Sequence, residues 1–167
     1  EDYASNARGM NVIVPTWFNV VSGDGTYTSL ASRDYVDKAH DMGLKVWAMV
    51  ENVSTEESVK NLNTKTLMSS TSTRKKLIEK LMNEADTYGF DGFNLDFESL
   101  KAEAGPHYVQ FIREMSVACR NKGLVLSVDN YVPSSYTAFY NRREQGIVAD
   151  YVIVMGYDEH YAGGEAG

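Results

Sequence analysis

Residues 91–98 contain an alternating row of polar side chains and read Asp-Gly-Phe-Asn-Leu-Asp-Phe-Glu. In a β-strand successive side chains point to opposite faces, so Asn94, Asp96 and Glu98 share one face and the intervening apolar residues share the other. An apolar outer face suits packing beneath helices, which leaves an amide and two carboxylates facing an interior. Burying such groups is costly unless they are hydrogen-bonded. The row therefore predicts a catalytic site, and an edge strand with solvated carboxylates is the alternative.

The acidic stretch resembles the DGxDxDxE signature of glycoside hydrolase family 18, the chitinase-like barrels, where it lies on the fourth strand. Residues 155–158, Met-Gly-Tyr-Asp, resemble the M-x-Y-D motif at the end of strand six of that family. The run MxYDEH and the Asn inside the acidic motif are similar to the branch of bacterial spore-cortex and cell-wall glucosaminidases. The resemblance covers nearly the whole chain, as strands two through six of the family barrel.

The resemblance implies retaining hydrolysis of β-1,4 bonds to N-acetylglucosamine, with the acetamido oxygen of the substrate as nucleophile. Glu98 would be the general acid and then the general base, which requires a raised carboxyl pKa near neutral pH. Asp96 would hold the acetamido N–H and stabilise the oxazolinium cation. Tyr157 would hydrogen-bond the acetamido carbonyl, and Asp158 would position the sugar and tune the Glu98–Asp96 pair.

Asn94 departs from the majority pattern of the family, which has Asp at this place. An amide can hydrogen-bond but has no charge and no proton to share. We therefore expect Asp96 to stay ionised more readily and the pH optimum to shift toward acid. Asp91 and Gly92, at the start of the same strand, are expected to be structural and to set the entry of the chain into it.

The elements that must position these residues follow from the apolar pattern. Segments rich in β-branched and aromatic residues predict strands at 10–18, 44–50, 92–97, 124–128 and 151–155. Helical periodicity predicts helices at 32–42, 73–88, 134–145 and from Pro106 to the residue before Gly123. The polar stretch 52–72 predicts a long loop with room for one short helix.

Alternating strands and helices imply an α/β fold with parallel strands and right-handed crossovers. An open doubly wound sheet would carry a Gly-rich phosphate loop after its first strand, and residues 15–19, Pro-Thr-Trp-Phe-Asn, have no such character. Polar and aromatic residues instead cluster where strands end, which is the active-site face of a barrel. We predict a partial (β/α)8 TIM barrel of about strands 2–6, a single catalytic-domain fragment over residues 1–167 that lacks strand 1 and strands 7 and 8.

Side chains at the predicted strand ends are candidates for sugar binding. Trp17 and Tyr131 could stack against sugar rings, with core packing as the alternative for each. Glu51 and Asn130 could bind hydroxyl groups, with solvation in a loop as the alternative, and Asn94 completes the predicted substrate-binding set.

Composition excludes several other classes of function. The 167 residues have a net charge of −7 and no basic stripe, which argues against nucleic acid and an anionic membrane as partners. No apolar run approaches the ~18–20 residues of a membrane span. The single cysteine, Cys119, excludes a multi-cysteine metal site, and the three histidines lie far apart without metal-ligand spacing. The sequence predicts no cofactor and no metal.

Three functions are compatible with these residues. The first is a glycosidase acting on an N-acetylglucosamine-containing polysaccharide, with chitin and peptidoglycan both open, at an extracellular, cell-wall or spore-envelope location. The second is a non-catalytic sugar-binding member of the fold, which would normally have lost Glu98. The third is a metal-dependent hydrolase using Asp91, Asp96 and Glu98. Because five strands do not close a barrel, edge-to-edge homo-oligomers of the fragment are also expected.

Overall fold

A computed structural model of the chain describes the backbone of residues 9–52 and 57–159, and their side chains except those of 57–62, 158 and 159. The strands in this part are β1 (Val12–Ile13), β2 (Thr16–Val20), β3 (Tyr27–Ser29), β4 (Lys45–Asn52), β5 (Gly92–Asp96), β6 (Val125–Tyr131) and β7 (Tyr151–Met155). The helices are α1 (Arg33–Asp41), α2 (Glu57–Ser69), α3 (Thr71–Tyr88), α4 (Gly105–Lys122) and α5 (Arg142–Val148). Short 3-10 turns span Ala102–Ala104, Ser135–Tyr140 and Gly156–Glu159.

The strands form one sheet in the order β3-β2-β4-β5-β6-β7, with β1 paired to β4 off this path. All of these pairings are parallel except that of β2 with β3. Helices connect the successive parallel strands, as parallel pairing requires. The predicted α/β class with a mainly parallel sheet is therefore confirmed.

The hydrophobic core lies between the helices and one face of the sheet. Phe93, Leu95 and Phe97 on β5 and just beyond it are at most 1% exposed and belong to this core. The alternation in the acidic stretch therefore correctly predicted which side chains of β5 face the helices.

Local signals set the helix ends. The Ser32 hydroxyl accepts a hydrogen bond from the Tyr35 N–H at the start of α1, and the Ser70 hydroxyl accepts one from the Thr73 N–H at the start of α3. Helix α3 ends at Gly89, whose φ of 74° is the left-handed conformation that glycine adopts without a steric penalty.

Four elements differ from the sequence-based expectation. The first predicted strand is two strands, because Pro15 interrupts the run and has no N–H to donate to a ladder. Strand β3 was not predicted. Most of the polar stretch 52–72 is helical, since α2 has 13 residues. The predicted helix 134–145 is a 3-10 turn followed by α5, and the two are separated by Asn141 at φ 50°.

None of the described helices is long and apolar enough to cross a membrane.

Candidate active site

Polar side chains form a row across the sheet face that points away from the helices. Asn19 on β2 is in register with Glu51 on β4, and Glu51 is in register with Asp96 on β5. Leu95 pairs with Val128, so the next position on β6, Asp129, lies beside Asp96. Parallel strands bring their carboxyl ends to one edge, and three carboxylates from three neighbouring strands therefore meet there.

Asn94 lies one step below this row and links β5 to β6. Its side chain is 1% exposed, and its Nδ2 donates hydrogen bonds of 2.9 Å to both Ser127 Oγ and Asp129 Oδ1. The Asn94 Oδ1 atom is buried with no hydrogen-bond partner among the described residues. Asn94 is too buried to offer a broad contact to a sugar, and in the structure its amide supports Asp129.

Asp129 is a candidate site residue that the sequence analysis missed. Burial raises the pKa of its carboxyl above the ordinary value, the negative charge of Glu98 raises it further, and the hydrogen bond from Asn94 opposes both effects. Asp129 therefore lies close enough to Glu98 to feel its charge. The alternation Ser127, Asp129, Tyr131 would have revealed the residue had it been followed along β6 as it was along β5.

Tyr131 lies next to the predicted catalytic pair. Its hydroxyl accepts a 3.0 Å hydrogen bond from the Ser99 N–H, directly after Glu98. Burial raises the pKa of the Tyr131 hydroxyl, the charges of Glu98 and Asp96 add to the increase, and the hydrogen bond from Ser99 opposes it. The structure thus brings Tyr131 to the carboxylates, while its stacking against a sugar stays a prediction.

Trp17 is not brought to this edge. It is 5% exposed and packs edge-to-face against Tyr35 on α1, with ring centroids 5.5 Å apart, and against Phe90 at 6.0 Å. The register of β2 with β4 shifts between Thr16 and Phe18, so Trp17 is the extra residue of a bulge and turns toward the helices. The expectation of a sugar-stacking Trp17 is corrected to a core residue.

Asn130 also lies away from the carboxylates. It is 1% exposed, its Nδ2 donates to Gln145 Oε1 at 2.6 Å, and Gln145 Nε2 donates back to Asn130 Oδ1 at 3.1 Å. Because it alternates with Asp129 on β6, its side chain points to the helix layer. The expectation that Asn130 binds sugar hydroxyls is therefore corrected: its amide is fully engaged in a buried pair with α5.

Asp91 and Gly92 lie at the opposite end of β5, where the structural role expected for them fits the geometry. The Asp91 carboxylate accepts hydrogen bonds from His40 at 2.7 Å, Lys45 at 2.9 Å and the Val46 N–H at 2.9 Å. Burial acts to raise the pKa of Asp91, but these bonds outweigh it and the pKa lies below its ordinary value. The carboxylate thereby fastens the start of β5 to β4 and to the end of α1.

Tyr157 follows β7 in the turn Gly156–Glu159, at the same edge of the sheet as the carboxylates. Its side chain is 70% exposed. The side chain of Asp158 lies outside the described part of the structure. Among the described side chains, no three His, Cys, Asp or Glu residues come together in a way that could hold a metal ion.

Comparison with known proteins gives the family and the fold of the chain. The model of Glycosyl hydrolases family 18 matches residues 9–165. The cortical fragment-lytic enzyme of Bacillus subtilis is 28% identical over 104 residues, covering 59% of this chain and 24% of that protein. The crystal structure of the putative sporulation-specific glycosylase YdhD from Bacillus subtilis has a TM-score of 0.84 and 20% identity, covering 93% of this chain and 53% of that one.

A chitinase from Chromobacterium violaceum has a TM-score of 0.81 and 23% identity, covering 99% of this chain and 53% of that one. At these identities the likeness of the two solved structures shows a shared fold, and the predicted partial barrel is therefore confirmed. The chain spans about half the length of the solved structures and less of the curated relative.

Proposed function

Since this chain belongs to glycosyl hydrolases family 18, we propose that the full-length protein cleaves β-1,4 bonds to N-acetylglucosamine with retention of configuration. The observation that carries the proposal is the row of Glu51, Asp96 and Asp129 at the carboxyl edge of the sheet, with Glu98 directly beyond β5. Buried or half-buried carboxylates in one row are costly for a fold, and such groups concentrate at functional sites.

Glu98 is the proposed general acid and base. In the first step its carboxyl protonates the glycosidic oxygen while the acetamido oxygen of the substrate attacks C1, and the bond from C1 to the leaving oxygen breaks. In the second step water attacks C1 of the oxazolinium ion, the bond from C1 to the acetamido oxygen breaks, and the water gives its proton to the Glu98 carboxylate. The free enzyme is thereby regenerated with Glu98 protonated, which is the balance that substrate-assisted retention requires.

Asp96 and Tyr157 are proposed to hold the acetamido group. The Asp96 carboxylate accepts a hydrogen bond from the acetamido N–H and stabilises the positive charge that develops on the ring of the oxazolinium ion. The Tyr157 hydroxyl donates to the acetamido oxygen and so directs it to C1. Asp158, next along the chain, is proposed to position the sugar, and the Asp129 carboxylate adds negative charge near the cation.

The substrate we propose is peptidoglycan or spore cortex, at an extracellular, cell-wall or spore-envelope location. The names of the similar Bacillus proteins, "cortical fragment-lytic enzyme" and "putative sporulation-specific glycosylase", support this choice. Chitin is the second candidate, supported by the structural likeness to a chitinase, which concerns the fold alone.

Two other functions remain distinguishable by experiment. A non-catalytic sugar-binding protein would bind the glycans without cleaving them, and the presence of Glu98 argues against it. A metal-dependent hydrolase would lose activity with a chelator, whereas the proposed mechanism predicts the same activity with and without one.

The test is the release of products from peptidoglycan, spore cortex and chitin by the full-length protein and its Glu98→Gln variant. Loss of a general acid and base predicts a fall in kcat of roughly 100-fold or more. Glu103→Gln is the matched control, because Glu103 lies in the following turn, is 61% exposed and pairs with Lys65. Full activity in Glu98→Gln would overturn the proposal, and loss in both variants would point to a general effect on the fold.

A further inference from the structure

The turn that carries Glu98, residues 97–100, is held from the side by an amide on the neighbouring strand. The Glu98 N–H donates to Asn52 Oδ1 at 2.9 Å, and Asn52 Nδ2 donates to the Glu98 carbonyl oxygen at 2.9 Å. Asn52 is the last residue of β4 and is 4% exposed. Its side-chain amide therefore pairs with the peptide groups of Glu98 as a neighbouring strand would, just beyond the end of β5 at Asp96.

The orientation of the Asn52 amide is itself fixed. Its Nδ2 also donates to Thr64 Oγ1 on α2 at 3.0 Å. One amide hydrogen is thus directed to α2 and the other to Glu98, and the oxygen is left to accept from the Glu98 N–H. Every hydrogen-bonding atom of this buried side chain is used, which leaves the group a single orientation.

Two tyrosine side chains also form hydrogen bonds with the backbone of the turn. The Tyr131 hydroxyl accepts from the Ser99 N–H, and the Tyr140 hydroxyl donates to the Phe97 carbonyl oxygen at 3.0 Å and accepts from the Leu100 N–H at 3.3 Å. Side chains from outside the turn therefore bind the backbone of each of its four residues.

The backbone of this turn needs such support. Ser99 has a φ of 57°, a left-handed conformation that is costly for a residue with a Cβ atom. Strained backbone of this kind persists where the surroundings hold it, and it clusters at functional sites. A relaxed Ser99 would change the direction in which the chain leaves Glu98.

We propose that Asn52 is a positioning residue that sets the direction of the Glu98 carboxyl toward the bond to be cleaved. The proposal rests on the role proposed above for Glu98. Asn52 acts on the backbone of the acid and touches no substrate, so its loss should lower kcat and leave KM nearly unchanged.

The first test compares Asn52→Ala with Asn63→Ala in the full-length protein. Asn63 Nδ2 makes a similar side-chain bond to backbone at a different place, the Val21 carbonyl oxygen, at 3.2 Å. Asn52→Ala should reduce kcat by about 10- to 100-fold with KM within about twofold, because small misplacement of a catalytic group is expensive in rate. Asn63→Ala should leave kcat unchanged. A kcat equal to wild type in Asn52→Ala would overturn the proposal.

The second test asks whether Asn52 acts through Glu98. In the Glu98→Gln background the addition of Asn52→Ala should cost little further activity, because the group that it positions no longer transfers a proton. Independent losses that multiply in the double variant would indicate a general effect on the fold and would overturn the proposal.

A readout without turnover separates this proposal from the proposed function. Hydrogen exchange of the Glu98 amide should become at least about tenfold faster in Asn52→Ala and stay unchanged in Asn63→Ala. Unchanged exchange would show that Asn52 does not hold the turn. If exchange rises as expected but wild type cleaves none of the glycans, the proposed function fails and the positioning role fails with it.

Discussion

At the scale of single residues, Asn94 and Asp129 make the placement of charge in this site differ from the family pattern. The family pattern has an acidic residue at position 94, whereas this chain has Asn94 there and carries a carboxylate at Asp129, 2.9 Å from the Asn94 amide. The site therefore keeps a carboxylate beside Asp96, contributed by β6. The expected effect of Asn94 on the pH optimum stays a prediction. The nearby charge of Asp129 is expected to contribute to that optimum as well.

Replacing Asp129 with Asn should raise the stability of the protein and lower its activity. Burial raises the pKa of Asp129 above its ordinary value in the fold, so the folded protein favours the neutral carboxyl, and ionisation destabilises it as the pH rises through the pKa of the folded state. Asp129→Asn keeps an oxygen that can accept from Asn94. It should raise Tm by about 2 °C at neutral pH, and the gain should vanish near pH 3.

The same variant should lower kcat by about tenfold, or ~1.4 kcal/mol of transition-state stabilisation, because it removes a negative charge near the developing cation. Thermal unfolding at the two pH values and the rate of product release are the measurements. Asp37→Asn, at an exposed position of α1, is the control. Lower Tm in Asp129→Asn at neutral pH would contradict the assigned burial cost.

At the scale of elements, alternation along β5 predicted both faces of the strand, whereas the residue that caps α3, Ser70, lies before the predicted start of this helix at residue 73. Trp17 was misplaced because a bulge changes the phase of β2, and the residues of the bulge carry no signal of their own. The length of helix α2 was underestimated because the stretch 52–72 is polar and rich in Ser, Thr and Asn, a composition that predicted a loop.

The close contact of β5 with its neighbours gives a prediction for Gly92. A Cβ atom there would lie 2.6 Å from the Val125 carbonyl oxygen and 2.9 Å from Trp47 Cδ1. Because a strand backbone cannot give way as a flexible side chain can, Gly92→Ala should destabilise the protein by about 2 kcal/mol or more, seen as a Tm lower by roughly 6 °C.

Gly146→Ala is the matched control for this substitution. Gly146 lies in α5 with nothing within 4 Å of the added atom, so alanine should be neutral or stabilise by up to about 1 kcal/mol. A Gly92→Ala protein that melts at or above the temperature of wild type would contradict the packing of β5 against β4 and β6.

At the scale of the whole molecule, the edge of the sheet at β7 is apolar and open within the described residues, where β7 is paired with β6 alone. Tyr151, Ile153 and Val154 on β7 are 54%, 39% and 47% exposed. We propose that the remaining strands of the family barrel cover this edge in the full-length protein. An open apolar edge is otherwise a template for pairing with another chain.

Expressed alone, the 167-residue chain should therefore self-associate. Light scattering coupled to size-exclusion chromatography should give a mass above that of one chain, and the double substitution Ile153→Lys and Val154→Lys should reduce it. A monodisperse monomer of the unsubstituted chain would count against pairing at this edge.

The central claim, that this carboxylate row serves a retaining, substrate-assisted hydrolysis, is tested most directly by the configuration of the first product. Proton NMR spectra of a soluble N-acetylglucosamine oligomer, recorded during the first minutes of cleavage by the full-length protein, report which anomer is released before mutarotation. The mechanism predicts the β-anomer, because C1 is inverted once by the acetamido oxygen and once by water. Initial release of the α-anomer would mean direct attack by water, and the roles given to Asp96 and Glu98 would be contradicted.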